Sequence, residues 1–324
     1  MIALDKIKII APLECIAVTK QDAFETKIKN GELISMSHTQ TNPYMLYVEV
    51  DYEDGETVIE FSGKILMDRY PELINKDNFN YCIERINAVG FCRIDAAMLC
   101  EYGRVCVIDV TKDVQCHDVS GLSEWLRCNV GNHRKYLIRN IGGNLAIEKN
   151  VVTRGYKRRL TVYEKGRELM RAENREFMKS VSDPEALQAY FSDKVRFEFN
   201  LNSRQAIRNT LNVQDTSIDE ILHSAANPIY DFLNDIVVDD AGYSCASLNE
   251  RKCLAFLRDC GMDLAKVEAE LRKYASKNSH ISQMMRPYQV LWSRLQSGLG
   301  SGFKSRLLGM VLEATIIFPI MLLL

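Results

Sequence analysis

The chain has 324 residues, of which 47% are hydrophobic and 26% are charged, so it has the composition of a globular protein with room for one large or two modest domains. That composition excludes a disordered chain, and the net charge of -2 excludes a uniformly basic nucleic-acid coat while permitting a local basic patch. Ten cysteines without a C-x-x-C pair, and an opening without a secretory signal, predict a reduced, cytoplasmic setting.

The first 130 residues predict strands and one clear helix. The strand-like segments are "DKIKIIAP", "YMLYVEVDY", "TVIEFSGKILM" and "GRVCVIDVTKDV", and Asp54-Gly55 between the second and third is a hairpin turn signal. In "DNFNYCIERINAVG", Phe79 and Ile83 recur at helical spacing, which predicts a helix that ends at Gly90.

The segment from Cys128 to Gly166 is rich in lysine and arginine and contains three interleaved tyrosines. Basic side chains neutralise phosphates and aromatic faces stack on unpaired bases, which predicts a surface for single-stranded DNA. A solvated basic hairpin explains the charge equally well. The predicted DNA-binding residues are Arg134, Lys135, Arg139, Arg154, Lys157, Arg158 and Arg159.

The rest of the chain alternates between helical and strand patterns. A charged helix is predicted from Arg167 to Val181, a second helix over "PEALQAYFS", and a strand over "KVRFEFNLN". Beyond Ser203 the pattern is helical, with a break at "VVDDAGYSCAS". The last stretch, "LLGMVLEATIIFPIMLLL", is long enough to span a bilayer, but Glu313 and Pro319 interrupt it and favour a buried terminal helix.

Three predicted strands carry polar side chains on a face whose opposite side is apolar. These side chains are Asp109, Tyr163, Arg196 and Glu198. We therefore predict an α+β fold, with a central, mainly antiparallel sheet, helices on one face and a helical C-terminal region. The predicted domains are residues 1–204, a catalytic domain, and residues 205–324, a helical region for DNA or a protein partner.

This set of side chains suits phosphodiester cleavage. Asp109 and Glu198 can hold Mg²⁺ or Mn²⁺, and the phenol of Tyr163 can attack phosphorus to form a phosphotyrosine. Arg196 and Lys165 would balance charge on the phosphate oxygens. None of the five histidines lies in an H-x-H or H-E-x-x-H spacing, so carboxylates would have to hold any metal.

The ordered motifs "VIDVTKDV", "LTVYEKGREL" and "VRFEFNLNSR" resemble the replication initiators of the filamentous-phage gene II type and the related plasmid rolling-circle initiators. That family shows a D-x-T-x-D strand, then a Y-x-K-x-x-E strand, then an R-x-E strand. All three occur here in that order within about residues 60–210.

The resemblance implies a role for each motif residue. Tyr163 would be the nicking nucleophile, with Lys165, Glu168 and Arg196 as further catalytic residues, and Asp109, Glu198 and Asp113 would form the metal site. Asp95, in "CRIDA", is an alternative first acid.

The resemblance also implies partners and a location. The substrate would be origin DNA with a single-stranded or hairpin nick site in a bacterial host cell, and the protein partners would be a host helicase and polymerase, with a homodimer as one arrangement. No nucleotide is expected, because Phe303 interrupts the phosphate-loop pattern in "GLGSGFKS". Two other readings are a non-catalytic DNA-binding regulator and a membrane-tethered structural protein; no membrane partner is expected.

Overall fold

The computed structural model describes residues 2–116, 122, 126, 136–141, 144–149, 158–236, 243–275, 277–297 and 302–313. Within these ranges, ten strands form one large sheet and two short strands form a second. In chain order the strands are β1 (Leu4–Pro12), β2 (Ile16–Val18), β3 (Glu25–Lys29), β4 (Glu32–Gln40), β5 (Leu46–Asp51), β6 (Glu56–Ser62), β7 (Cys92–Ile94), β8 (Arg104–Gln115), β9 (Tyr136–Ile141), β10 (Asn144–Lys149), β11 (Arg158–Glu164) and β12 (Lys194–Leu201).

The large sheet has the order β3-β4-β5-β6-β1-β8-β12-β11-β10-β9, and each pair of neighbours is antiparallel. The small sheet pairs β2 with β7. The three strands that carry the predicted motifs, β8, β12 and β11, are consecutive neighbours near the middle of the large sheet. Their side chains therefore share two continuous faces.

Helices follow and interrupt these strands. The α-helices are α1 (Phe79–Val89), α2 (Ala96–Tyr102), α3 (Lys165–Leu169), α4 (Arg175–Ser180), α5 (Pro184–Phe191), α6 (Arg204–Leu211), α7 (Ile218–Leu222), α8 (Pro228–Asp235), α9 (Leu248–Asp259), α10 (Leu264–Arg272), α11 (Asn278–Ser297) and α12 (Gly302–Glu313). A 3₁₀ segment, Gly63–Glu72, follows β6 and is kinked at Met67, where φ is 56°.

The main apolar core lies on one face of the large sheet. On β12, Val195, Phe197, Phe199 and Leu201 are buried and belong to this core, because alternate side chains of a strand point to the same face. Helices α1, α6, α8 and α12 contribute Ile83, Ile207, Ile229 and Val311 to it. The polar side chains of β12 consequently point to the opposite face.

A smaller apolar cluster lies on that polar face at one end. Its buried members are Tyr70, Leu169, Phe177, Val181, Leu187 and Phe191, from the 3₁₀ segment, α3, α4, the Val181 turn and α5. The guanidinium carbon of Arg196 is 5.2 Å from the Tyr70 ring centroid and 5.4 Å from that of Phe191. The end of the polar face that carries Arg196 is therefore covered by this cluster.

Helices α9, α10 and α11 build a third apolar cluster of their own, with Leu257 and Leu295 fully buried in it. Helix α12 returns to the main core, where Leu307 and Val311 are buried. The Lys112 ammonium on β8 donates a hydrogen bond of 2.8 Å to the Val311 carbonyl. The fully buried Lys304 ammonium donates to the carbonyls of Asn234, Ile236 and Gln296, which ties α12 to the end of α8.

The predicted α+β class, with its antiparallel sheet and helical C-terminal region, is confirmed. So are the hairpin at Gly55, whose φ is 71°, and the end of α1 at Gly90, whose φ is 88°. The predicted division at residue 204 stays a prediction. No helix in the described ranges is both long and apolar enough to cross a membrane; the apolar stretch after Glu313 lies outside them.

Two predicted elements are wrong in detail. The strand pattern of "TVIEFSGKILM" stops at Ser62, because the Ser62 hydroxyl accepts a hydrogen bond from the Lys64 backbone amide and starts the 3₁₀ segment. In place of the single helix predicted from Arg167 to Val181 there are two short α-helices, α3 and α4, separated by a 3₁₀ turn at Ala172–Asn174. In that turn the Asn174 side chain is buried, and its amide donates a hydrogen bond of 2.7 Å to the Glu168 carbonyl.

Candidate active site on the polar face of the sheet

Strand register brings the predicted motif residues into three rows on the polar face. Residues that pair directly across antiparallel strands project from the same face, with neighbouring strands about 4.8 Å apart. The rows, read from β8 through β12 to β11, are Asp113–Arg196–Tyr163, Thr111–Glu198–Thr161 and Asp109–Asn200–Arg159.

Tyr163 and Glu198 make the most direct contact in this array. The Tyr163 hydroxyl donates a hydrogen bond of 2.8 Å to Oε2 of Glu198. Burial, followed by the charge of Glu198, raises the pKa of the Tyr163 phenol well above its usual value. The phenol is therefore protonated at neutral pH, and the adjacent carboxylate is the acceptor to which its proton can pass.

Asp109 and Glu198 form a pair of interacting, buried acids. Burial and the charge of Asp109 raise the pKa of Glu198 to about 7. Burial and the charge of Asp5 also raise the pKa of Asp109, although the Asn200 amide, which donates a hydrogen bond of 2.6 Å to it, opposes the shift. Among the described residues, no lysine or arginine nitrogen lies within ion-pair distance of either carboxylate.

Arg196 occupies the covered end of the face, and its donors are engaged. Its side chain is fully buried, and Nε and Nη2 each donate a hydrogen bond of 2.7 Å to the two oxygens of Asp113. Nη1 donates to Asp5 at 2.9 Å and to the Tyr70 hydroxyl at 2.8 Å. Direct contact between Arg196 and a phosphate would break these bonds, so we assign the residue a positioning role.

The same contacts revise the role of Asp113. Both of its oxygens accept from Arg196, in a bidentate pair that is buried on both sides. A carboxylate held in this way is not free to bind a cation. We therefore assign the candidate metal site to Asp109 and Glu198, without Asp113.

Asp5 is a functional candidate that the sequence reasoning missed. The register of β1 against β8 shifts between Leu4 and Lys6, and this bulge turns both Asp5 and Lys6 away from the apolar face. Burial opposes ionisation of Asp5, but the charges of Arg196 and Lys165 outweigh it and hold its pKa below the usual value. Asp5 is thus a fixed negative charge beside the Asp109–Glu198 pair.

Lys165 and Glu168 lie together next to Tyr163. The Lys165 ammonium is 5.6 Å from the Tyr163 ring centroid and donates a hydrogen bond of 2.7 Å to Glu168. Asn174 donates to the other Glu168 oxygen at 2.8 Å and accepts from the Lys64 ammonium at 2.6 Å. Burial opposes ionisation of Glu168, but Lys165 outweighs it and keeps the pKa of Glu168 below its usual value.

Two carboxylates fit a divalent cation of the magnesium type, which commonly takes one or two protein carboxylates and completes its shell with water and phosphate oxygens. Burial, together with the repulsion of neighbouring acids, raises the pKa of both Asp109 and Glu198, and a bound cation would relieve that repulsion. A cluster of three or more histidine, cysteine or acidic side chains arranged for a metal is not found in the described part of the chain.

Three residues of the predicted DNA-binding set are described. Arg159 ends the third row, Arg139 lies on the outermost strand, and both approach Glu148, at 3.9 Å and 3.6 Å. Arg158 begins β11 and is half-buried. The remaining four, Arg134, Lys135, Arg154 and Lys157, lie outside the described residues.

The alternative acid, Asp95, lies elsewhere. It is exposed and caps α2, where its carboxylate accepts a hydrogen bond of 3.0 Å from the Met98 backbone amide. This capping contact explains the residue without a catalytic role, and Asp109 stays the predicted first acid of the site.

Comparison with known proteins found a family match that covers the three motif strands. Residues 77–220 match a family model for the N-terminal part of a phage replication-associated protein, the gene II protein. This range contains Asp109, Tyr163 and Glu198, and it leaves out Asp5 and Lys64. No curated protein sequence matches the chain.

The chain is similar to a solved structure titled "Structure of Rolling Circle Replication Initiator Protein from Geobacillus stearothermophilus". The matched region covers 72% of this chain and 95% of the chain in that structure. The two are 12% identical, with a TM-score of 0.31. A likeness at this level carries no argument about the site.

Proposed function

We propose that the chain, whose residues 77–220 match the model of a phage replication-associated protein, is a rolling-circle replication initiator that nicks and rejoins one DNA strand at a replication origin. The observation that carries the proposal is the 2.8 Å hydrogen bond from the Tyr163 hydroxyl to Glu198, beside Asp109 and Lys165. A nucleophile next to a base on a rigid sheet is the arrangement that phosphoryl transfer to a side chain requires.

In the proposed nicking step, the Tyr163 oxygen forms a bond to the scissile phosphorus and the bond from phosphorus to the 3′ oxygen breaks. The phenolic proton passes to Oε2 of Glu198, and the departing oxygen takes up a proton to become a 3′ hydroxyl. The product is a DNA 5′ phosphate linked to Tyr163. The reverse reaction with another 3′ hydroxyl rejoins the strand and releases the tyrosine.

Asp109 and Glu198 would hold Mg²⁺ or Mn²⁺, which supplies Lewis-acid polarisation of the phosphate. Lys165 lies against the Tyr163 ring and would stabilise negative charge as it develops on the phenolic oxygen. Arg196 and Tyr70 keep Asp5 in place, and the Lys165–Glu168–Asn174 contacts fix the lysine. Host helicase, polymerase and a homodimer remain proposed partners of the initiator.

The test compares the chain with Tyr163→Phe and with Tyr102→Phe, a control on the exposed surface of α2. Each protein is incubated with Mg²⁺ or Mn²⁺ and supercoiled plasmid carrying the replicon's own origin, and the products are separated on denaturing gels. We expect relaxed circles with protein on the 5′ end from the wild type and Tyr102→Phe, and none from Tyr163→Phe.

Nicking by Tyr163→Phe would assign the attack to another nucleophile. Origin binding by all three proteins without any nicking would favour a non-catalytic regulator.

A further inference from the structure

A groove lies on the polar face of the large sheet, on the opposite side of the candidate site from β9 and β10. It has a volume of about 400 Å³. Its walls include Lys8, Thr39, Met45, Tyr47, Glu49 and Glu60, from β1, β4, β5, β6 and the turn before β5. The predicted motifs do not include any of these residues.

Strand register joins the groove to the site. Lys6 on β1 pairs with Asp109, and Lys8 is the next residue of β1 on the same face. Lys8 pairs with Glu60 on β6, and Glu60 pairs with Tyr47 on β5. With neighbouring strands about 4.8 Å apart, three strand steps place β5 roughly 15 Å from β8, a distance that a few nucleotides of single strand can cover.

Side-chain contacts provide a second connection. The Met45 sulfur, in the groove wall, is 3.8 Å from the Lys64 ammonium. Lys64 donates to Asn174, which holds Glu168 beside Lys165. The groove wall and the surroundings of Tyr163 therefore share one contact network.

The chemistry of the groove fits a nucleotide. The ammonium groups of Lys6 and Lys8 both contact the carboxylate of Glu60, and Glu49 is a second acid of the groove wall, so the two cations and the two acids balance. The Tyr47 hydroxyl donates a hydrogen bond of 2.8 Å to Glu49, which fixes its ring, and Lys8 lies 5.9 Å from the ring centroid. A fixed aromatic face next to basic side chains is the usual platform for an unpaired base.

We infer that this groove receives an unpaired base of the DNA strand that is being nicked, stacked on Tyr47, while Lys6 and Lys8 contact its backbone. The inference rests on the proposed function for the nature of the ligand. It assigns the DNA strand a path on both sides of Tyr163, with Arg139 of β9 and Arg159 of β11 on one side and this groove on the other.

The first test measures binding of a fluorescent single-stranded oligonucleotide of the nicked origin strand, by anisotropy, with EDTA present to prevent cleavage. We expect Tyr47→Leu to bind about tenfold more weakly, because stacking on one aromatic side chain contributes roughly 1–3 kcal/mol per base. Tyr102→Leu is the control and is expected to bind like the wild type. Affinity within twofold of the wild type for a folded Tyr47→Leu would overturn the inference.

The second test needs no variant and so does not depend on folding of Tyr47→Leu. Oligonucleotides with 5-iododeoxyuridine at successive positions around the nick are photocrosslinked to the wild-type protein, and the attached peptides are identified by mass spectrometry. We expect one position to attach to Tyr47 or Met45. Crosslinks confined to other parts of the chain, at every position, would overturn the inference.

These tests separate the inference from the proposed function. If Tyr163→Phe binds the oligonucleotide normally but does not nick, while Tyr47→Leu binds normally, the groove proposal alone fails. If Tyr47 governs binding but nicking does not require Tyr163, the proposed nucleophile alone fails.

Discussion

The two ends of the polar face differ in how their charges are compensated. At the Arg196 end, each acid has a cation at hydrogen-bond distance, and the pKa values of Asp5 and Glu168 are below normal. At the Glu198 end, two buried carboxylates lie together and both pKa values are raised. Paired charges make a fixed scaffold, whereas acids whose pKa is raised are available for a proton or a metal ion.

If the Glu198 end is the reactive one, Glu198→Gln should abolish most nicking while the fold persists. The amide can still accept from the phenol but cannot take its proton or bind the cation well, so we expect a nicking rate roughly 10²–10⁴-fold lower. Single-turnover nicking of origin DNA measures this. Glu176→Gln, at an exposed ion pair with Lys179 on α4, is the control.

An unchanged rate in Glu198→Gln would remove Glu198 from the mechanism. The difference in pKa between the Arg196 end and the Glu198 end of the polar face would then affect only the stability of the fold.

If the Arg196 end is the scaffold, Arg196→Met should mainly reduce stability. It leaves Asp113 as a buried carboxylate without its guanidinium partner, and breaking a buried pair in this way lowers the free energy of unfolding by about 3–5 kcal/mol. Urea denaturation followed by circular dichroism measures the change. Arg139→Met, at an exposed and loose pair, should change stability by less than ~1 kcal/mol.

A small loss of stability in Arg196→Met, together with a large loss of nicking, would contradict the positioning role. It would return Arg196 to direct contact with the phosphate.

A divalent cation should stabilise the fold in a pH-dependent way. Glu198 has a folded pKa of about 7, above its unfolded value, so its ionisation increasingly destabilises the fold as pH rises from about 4.5 through 7. Mg²⁺ or Mn²⁺ binds the ionised form and should offset this above pH 7, by ~1.4 kcal/mol at ten times its dissociation constant.

Thermal unfolding with and without Mn²⁺ at pH 5 and pH 8 measures the effect. We expect a clear rise in the unfolding midpoint at pH 8, a smaller one at pH 5, and little in Glu198→Gln. An equal rise in both proteins would place the cation at another site.

The sequence predicted much of this site because strand alternation is a local property. The apolar and polar residues of β12 alternate without interruption, so the shared face of Arg196 and Glu198 could be read directly. The order of the strands and their register depend on distant pairings, and the grouping of Asp109 with Glu198 and Tyr163 was therefore an expectation until the fold was known.

Asp5, Lys64 and Tyr70, which were not predicted as site residues, had weaker signals in the sequence. In "LDKIKII" the buried Leu4 and Ile7 are three residues apart, whereas Ile7 and Ile9 are two apart; this change of period marks the bulge that exposes Asp5 to the site. Lys64 and Tyr70 come directly after a segment with a strand pattern. The chain changes direction between them at Met67, whose φ is positive, and the sequence carries no signal for that backbone conformation.

The return of α12 to the main core bears on how the protein folds during synthesis. Leu307 and Val311 pack against elements made far earlier in the chain, and Lys112 on β8 bonds to the end of α12. The apolar surface beneath α12 therefore stays uncovered until about residue 311 has left the ribosome. The nascent chain should need protection from aggregation throughout translation of α9, α10 and α11.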